Sequence, residues 1–110
     1  MWVDPLGLIR LRHYTSNKGL AGIQKDKKII AYDQNKVFTE KAKGKPLSAS
    51  DAADKYGIAK KDARNFVEFD IDDSRVEKID NPITQATEYV VEGDIDLDEK
   101  SNVKCTKRNQ

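Results

Sequence analysis

Few side chains in this sequence can carry chemistry. There is one histidine, His13, so a mechanism that needs two histidines, such as the acid–base pair of many ribonucleases, is excluded. There is one cysteine, Cys105, so an intrachain disulfide and a cysteine-based metal cluster are excluded as well. Acidic residues recur at every second position of 92–98 with aliphatic residues between them, which indicates a strand with an acidic face rather than a calcium-binding loop. The sequence therefore predicts no metal site.

The element that must position His13 is a strand. Residues 8–14 alternate, with Ile9, Leu11 and His13 on one face and with arginine and tyrosine side chains on the other. This pattern predicts a half-buried strand that presents His13 from its apolar face.

The remaining pattern predicts short helices and strands. Ser16 can cap a helix through about residue 25, and Ser48 or Ser50 can cap a second helix that ends at Gly57. Further strands are predicted at residues 28–32, 36–39, 66–71, 88–91, 95–97 and 102–106, and a loop is predicted at residues 40–47. A helical first half followed by a strand-rich second half predicts the α+β class.

The composition is that of one globular domain. The 110 residues are 37% hydrophobic and 35% charged, which argues against a disordered chain. We expect no transmembrane helix and no signal peptide, because the apolar runs are short. Residues 9–65 carry 14 Lys and Arg against 6 Asp and Glu, whereas residues 66–110 carry 6 against 12. This asymmetry predicts either an anionic partner for the basic half or two halves that complement each other on one surface.

Three segments resemble, in order, the motifs of ADP-ribosyltransferases of the diphtheria-toxin and poly-ADP-ribose-polymerase type. Residues 13–23 contain His-Tyr-Thr-Ser followed by Gly-Leu-Ala-Gly-Ile, residues 36–40 read Lys-Val-Phe-Thr-Glu, and residues 87–91 read Thr-Glu-Tyr-Val-Val. His13 and Glu88 are 75 positions apart. Within this superfamily, the chain is most similar to small bacterial toxins with a His-Tyr-Asp/Glu-type signature. The resemblance implies an ADP-ribosyltransferase-like split β-sheet core with a few short helices.

The same resemblance implies NAD⁺ as the substrate, no metal, and two catalytic residues. Cleavage of the nicotinamide–ribose bond develops positive charge on the ribose, and Glu88 is the carboxylate implied to hold a ribose hydroxyl and stabilise that charge. His13 is implied to hydrogen-bond the adenosine ribose. The residues implied to bind NAD⁺ are Arg12, His13, Tyr14, Thr15, Phe38 and Ser48.

The implied binding roles differ between these residues. Arg12 is expected to face the pyrophosphate, and the Tyr14 backbone is expected to read the nicotinamide amide. Phe38, which stands where the family usually carries a tyrosine, is expected to stack on the nicotinamide ring together with Tyr14 or Tyr56.

One departure from the family pattern bears on the acceptor. Ala86 lies two positions before Glu88, where arginine-specific transferases carry Glu or Gln, and this argues against an arginine acceptor. An Arg-Ser-Glu arrangement of Arg12, Ser48 or Ser50, and Glu88 stays open as an alternative.

A second resemblance lies at the start of the chain. Asp-Pro-Leu-Gly-Leu at residues 4–8 is similar to the junction that closes the shell of Rhs-repeat polymorphic toxins, which is followed by a variable toxin. It implies that residues 1–8 are a remnant of this junction and that residues 9–110 are the toxin domain. Without a second copy of the junction aspartate, we expect no self-cleavage. Such a domain would be a secreted effector delivered into the cytoplasm of a target bacterium, with a cognate immunity protein and no membrane partner.

Together the resemblances predict an antibacterial mono-ADP-ribosyltransferase. Its acceptor would be a macromolecule of the target cell, RNA or protein, with the translation machinery as one candidate. The alternatives are a metal-independent nuclease toxin that uses His13 as acid or base, and a non-enzymatic binding module.

Overall fold

The computed structural model describes residues 7–31, 33–80, 82 and 87–108. These residues form eight strands and two α-helices, joined in part by short 3-10 turns. In chain order they are β1 Leu8–Thr15, α1 Asn17–Asp26, β2 Lys28–Ile29, β3 Lys36–Lys41, α2 Ala49–Tyr56, β4 Asn65–Asp72, β5 Val76–Asp80, β6 Thr87–Glu92, β7 Ile95–Asp96 and β8 Lys104–Thr106. The predicted α+β class is confirmed.

Six strands form one sheet in the order β5-β6-β3-β1-β4-β8, and β2 pairs with β7 in a separate two-stranded sheet. Every pairing described is antiparallel. The long central pair is β1 with β4, in register from Leu8↔Asp72 to Thr15↔Asn65. The first half of the chain therefore supplies α1 and α2 and also two central strands of the sheet, β1 and β3.

Each face of the six-stranded sheet has its own apolar cluster. The larger cluster includes Leu11 of β1, Ile23 of α1 and Phe69 of β4. The smaller cluster joins Tyr14 and Phe66 to the small alanine side chains of α2. Because α2 covers the second face, β1 is buried on both sides, whereas its alternation predicted a half-buried strand.

The helix boundaries follow from capping. The hydroxyl of Ser16 accepts a hydrogen bond from the Gly19 amide at 3.0 Å, and the hydroxyl of Ser48 accepts one from the Asp51 amide at 3.1 Å. Gly57 ends α2 with φ of 65°, a left-handed conformation that glycine adopts without strain. Both predicted helix starts are confirmed, with Ser48 rather than Ser50 as the second cap.

The fold differs from the prediction mainly in two boundaries and in one strand that was not predicted. The loop predicted at residues 40–47 begins too early, because β3 continues through Lys41. The strand predicted at residues 28–32 contains only the two residues of β2, and residue 32 lies outside the described residues. β5 was not predicted; it is an edge strand whose residues are mostly exposed, so it lacks the alternation that marks a buried face.

Arg12 is the buried charge at the centre of the sheet, with a side chain only 3% exposed. Its Nη1 donates to Glu40 of β3 at 2.7 Å, and its Nε and Nη2 donate to Glu68 of β4 at 3.1 and 2.9 Å. Its Nη2 also donates to the Gly44 carbonyl at 3.2 Å. The guanidinium thus joins three neighbouring strands, and its two carboxylate partners raise its pKa although burial alone would lower it.

None of the helices among the described residues is long and apolar enough to span a membrane. The predicted Rhs junction falls mainly on residues 1–6, which lie outside the described residues, and it stays a prediction.

We expect Arg12→Ala to lower the free energy of unfolding by about 3 kcal/mol, because it leaves two carboxylates without their buried partner. The matched control is Arg10→Ala, which removes the half-exposed ion pair with Asp70 and is expected to cost less than about 1 kcal/mol. Urea denaturation of the three proteins measures both losses. Equal losses in the two variants would contradict the central role of Arg12.

Candidate active site

The site begins where the sheet opens between β1 and β3. These strands are in register only at Leu11↔Lys41 and Arg12↔Glu40. Beyond Arg12, β1 remains paired with β4, while β3 pairs with β6 on its other side. The sheet is therefore split from His13 onward, as the sequence resemblance implied.

The His13 side chain bridges this split. Its Nδ1 donates a hydrogen bond to the carbonyl of Phe38 in β3 at 3.0 Å. Because the partner is a carbonyl, Nδ1 carries the proton and Nε2 presents a lone pair. Burial lowers the pKa of His13 below 6.5, and the bond to the Phe38 carbonyl only partly opposes this. The neutral ring is therefore an acceptor aimed away from β3.

The backbone of Tyr14 is directed into the split. The Arg10 carbonyl accepts a hydrogen bond from Ala42 on the β3 side of β1. Backbone groups in a strand alternate sides, so those of Tyr14, four residues later, point the same way as those of Arg10. No register pair with β3 is described at Tyr14. Its N–H and C=O are placed to meet a ligand in the split.

One cavity, here called the glutamate cavity, has a volume of about 560 Å³ and lies on the α2 side of the split. Its lining residues are His13, Tyr14, Gln34, Phe38, Lys55, Tyr56, Ile58 and Glu88. The register explains why Phe38 and Glu88 meet there. Phe38 pairs with Val90, paired residues share a face, and Glu88 shares that face two positions before Val90.

Glu88 is partly buried and, among the residues that the structure describes, forms no hydrogen bond or ion pair. Phe38 beside it is 38% exposed although it is a large aromatic side chain. A free carboxylate and an open aromatic face in one cavity are suited to a ligand with a sugar and a planar ring.

A second cavity, here called the helix cavity, has a volume of about 610 Å³ and lies along α1. Its lining residues are His13, Tyr14, Thr15, Ser16, Lys18, Gly19, Gly22, Ile23, Asp26, Lys28, Ile29, Ile30 and Asp62. Both cavities are lined by His13 and Tyr14, so they lie next to each other at the split, and the two together are called the cleft. Each has a volume usual for a small-molecule site.

Two glycines of α1 shape the helix cavity. A Cβ at Gly19 would overlap the side-chain oxygen of Thr15, so the helix can approach β1 this closely only with glycine there. A Cβ at Gly22 would meet no atom within 4 Å, so the bare helix surface at Gly22 leaves open space in the cavity.

The structure does not bring Arg12 or Ser48 to the cleft. Arg12 was predicted to face the pyrophosphate, but its guanidinium is committed to Glu40 and Glu68 and lines neither cavity. Ser48 was predicted to bind NAD⁺, but its hydroxyl caps α2. The Arg-Ser-Glu arrangement loses its arginine for the same reason, because four of the five guanidinium N–H donors are bonded to Glu40, Glu68 and Gly44 and the side chain is buried.

The Tyr14 ring has a structural task, while its backbone faces the split. Its hydroxyl donates to Glu40 at 2.8 Å and accepts from the Leu47 amide at 2.8 Å. Burial and the bond to Glu40 raise the pKa of Tyr14 to about 12. The ring is 5% exposed and packs against Tyr56 and Phe66. A ring enclosed in this way leaves Phe38 and Tyr56 as the aromatic walls of the glutamate cavity.

Three lining residues of the glutamate cavity were missed by the sequence analysis. Gln34 follows β2 in a left-handed turn with φ of 60°, and Lys55 and Ile58 flank the end of α2. The one sequence signal that could have found any of them is that Lys55 directly precedes Tyr56, which was already a candidate for stacking on nicotinamide. Ala86, on which the acceptor argument rested, lies outside the described residues.

Among the described residues, no three His, Cys, Asp or Glu side chains gather in a way that could hold a metal ion. The cleft therefore offers carboxylate, imidazole, lysine and aromatic groups for its chemistry.

The split antiparallel sheet and its carboxylate-bearing cleft define the class as an ADP-ribosyltransferase-like α+β domain. The sequence model of the toxin family Tox-ART-HYD1, described as HYD1 signature containing ADP-ribosyltransferase, matches residues 11–99. This match covers most of the chain, so the chain belongs to that family of toxin ADP-ribosyltransferases. No curated protein and no solved structure is significantly similar to the chain.

We expect His13 to make stability fall when the pH is lowered. Because its pKa in the folded protein lies below 6.5, the unfolded chain takes up a proton at a higher pH than the folded chain. The stabilisation is present above about pH 6.5 and is lost as the pH falls toward the folded pKa. As His13 is the sole histidine, an NMR titration reports its pKa directly.

The stability change is measured by urea denaturation at about pH 7 and about pH 5.5. The control is His13→Gln, which should lose less stability over this interval than the wild-type protein. An NMR pKa above 6.5 would contradict the assignment of His13 as a neutral acceptor.

Proposed function

We propose that this domain is a NAD⁺-dependent mono-ADP-ribosyltransferase that acts as an antibacterial toxin. The observation that carries the proposal is the convergence of His13, Phe38 and Glu88 on one cavity at the split of the sheet. Membership of a toxin ADP-ribosyltransferase family supports the reaction class.

The residues present fit NAD⁺. The glutamate cavity would take the nicotinamide and its ribose, with Phe38 and Tyr56 as aromatic walls and the Tyr14 backbone facing the carboxamide. The helix cavity would take the adenosine, and the Nε2 lone pair of His13 would accept a hydrogen bond from its ribose. Thr15 lies at the same end of β1 and lines the helix cavity. Of the two lysines that line it, Lys28 is paired with Asp96, so Lys18 is the one proposed to meet the phosphate groups in place of Arg12.

The role of Glu88 follows from the charge that develops in the reaction. The bond between ribose C1′ and the nicotinamide nitrogen breaks, and its electron pair leaves with nicotinamide. The acceptor oxygen or nitrogen then forms the new bond to C1′ and gives up a proton. Positive charge grows on the ribose as the first bond breaks, and a free carboxylate at hydrogen-bond distance from a ribose hydroxyl stabilises it. Glu88, which has no partner among the described residues, is available for this task.

For the acceptor, we propose a macromolecule of the target cell, either RNA or protein, with the translation machinery as one candidate. Lys41, Lys43 and Lys45 are exposed and form no ion pair with the described part of the chain. Unpaired lysines at the end of β3 and in the loop that follows it favour a partner with negative charge.

The biological setting is proposed from the N-terminal resemblance. A domain that follows an Rhs junction would be a secreted effector delivered into the cytoplasm of a competing bacterium. Its producer would need a cognate immunity protein, and the cleft between β1 and β3 is the surface whose obstruction would stop the reaction.

The two glycines of α1 give a matched pair of variants. We expect Gly22→Ala to keep or raise stability, because alanine favours a helix and its methyl meets open space. The same methyl would narrow the helix cavity and raise KM for NAD⁺ about tenfold. Gly19→Ala should instead lower the free energy of unfolding by about 1–3 kcal/mol, because its methyl overlaps Thr15. An unchanged KM in Gly22→Ala would place the adenosine elsewhere.

The experiment that tests the function is transfer of labelled ADP-ribose from NAD⁺ into a bacterial lysate, with nicotinamide release measured in parallel. We expect Glu88→Gln to reduce both by about 10²-fold or more, because it removes the charge that stabilises the transition state. Glu92→Gln, which changes an exposed residue at the other end of β6, is the control and should keep full activity. RNase or protease treatment of the products identifies the acceptor as RNA or protein.

Two outcomes would contradict the proposed function. RNA cleavage without nicotinamide release would support the nuclease toxin instead. Toxicity that survives Glu88→Gln without any transfer would support a non-enzymatic binding module.

A further inference from the structure

The hydroxyl of Tyr56 is the unexplained polar group of the cleft. It is buried and has no hydrogen-bond partner among the described residues. The ring itself is well placed, with its centroid 6.0 Å from that of Tyr14 and the Lys55 ammonium 5.2 Å from its centre. Phenylalanine would fill the same space without a buried donor, and an unpaired buried donor is destabilising. The hydroxyl therefore needs an acceptor that the described part of the chain does not supply.

Two carboxylates are near enough for their charges to act on this hydroxyl. Burial, followed by the negative charge of Glu40 and then that of Tyr14 and Glu88, raises the pKa of Tyr56 far above that of a free phenol. Tyr56 therefore remains protonated at neutral pH and can act only through its proton or its lone pairs.

Of these two carboxylates, Glu40 already accepts three hydrogen bonds. Its oxygens accept hydrogen bonds from Arg12 at 2.7 Å, from Tyr14 at 2.8 Å and from Lys55 at 3.3 Å. Glu88 has no such partner among the described residues and lines the same cavity as Tyr56. Of the two carboxylates, Glu88 is therefore the one with the greater free acceptor capacity for the Tyr56 hydroxyl.

We propose that Tyr56 is a positioning residue, whose hydroxyl donates a hydrogen bond to the Glu88 carboxylate when the cleft holds its substrate. This inference rests on the proposed function, because the bond matters only if Glu88 orients the ribose. It assigns to α2 a task beyond packing: its last residue fixes the carboxylate carried by β6. A hydrogen bond from Tyr56 would hold the Glu88 carboxylate in the orientation that meets the ribose hydroxyl. Because this orientation matters most in the transition state, the bond contributes to turnover more than to NAD⁺ binding.

The test compares Tyr56→Phe with the wild-type protein and with Tyr89→Phe. Tyr89 neighbours Glu88 in β6 but packs against the larger apolar cluster, outside the glutamate cavity. We expect Tyr56→Phe to lower kcat for nicotinamide release about tenfold and to leave KM within about twofold. Its melting temperature should equal or exceed that of the wild type, because the unpaired donor is gone. Tyr89→Phe should keep the wild-type kcat.

Each contrary result has a distinct meaning. A wild-type kcat in Tyr56→Phe overturns this inference alone, since the proposed function is judged from wild-type activity and Glu88→Gln. A raised KM with unchanged kcat also overturns it, because the hydroxyl would then contact substrate directly. A lowered melting temperature together with equal loss in Tyr89→Phe would indicate a structural effect and overturn it as well. A wild-type protein that releases no nicotinamide overturns the proposed function, and this inference falls with it.

Discussion

The buried charge cluster around Arg12 is the interaction on which the rest of the structure depends. Arg12 lies in the last register pair before the sheet opens, and its guanidinium bonds to Glu40 of β3 and Glu68 of β4. A buried guanidinium is stable only when its donors are matched by acceptors, and here carboxylates and the Gly44 carbonyl supply them. The cluster ties the two parts of the sheet together at one point. Beyond that point no register pair between β1 and β3 is described, and the His13 side chain bridges the gap to the Phe38 carbonyl.

The cleft is a consequence of this arrangement. The Glu40 carboxylate of β3 accepts hydrogen bonds from Arg12 and Tyr14 of β1 and from Lys55 of α2. One carboxylate therefore joins β1, β3 and α2. The helix is thereby held against the face that carries Glu88, and its last residue, Tyr56, reaches the cavity. Glu40 accepts from Arg12, Tyr14 and Lys55, whereas Glu88 accepts no hydrogen bond from the described residues. Glu40 and Glu88 thus have different tasks although they lie on the paired strands β3 and β6: Glu40 holds the fold together, and Glu88 faces the cavity.

Local physics made part of this fold predictable. The caps at Ser16 and Ser48 and the presence of strand β1 follow from a few consecutive residues, and the structure bears them out, although β1 is buried on both faces rather than one. The burial of Arg12 was not predictable in this way, because its partners Glu40 and Glu68 are 28 and 56 positions away and its alternation marks it as solvent-facing. The convergence of His13, Phe38 and Glu88 required knowledge of strand order, which only the family resemblance supplied. The exposed strand β5 carries no buried face that a pattern could reveal.

Some of the opposite charges on the two halves of the sequence pair with each other in the folded protein. Within the described ranges, three ion pairs join the basic half to the acidic half. They are Arg10–Asp70, Arg12–Glu68 and Lys28–Asp96. The exposed lysines of residues 41–45 are not among them, so they retain their charge for a partner. Their loop is fixed to the Arg12 cluster through the Gly44 carbonyl. The Arg12 guanidinium therefore joins β3 to β4 and also anchors the loop that carries Lys43 and Lys45. Both explanations of the charge asymmetry then apply, each to different residues: some basic residues pair with the acidic half, and others are left for an anionic partner.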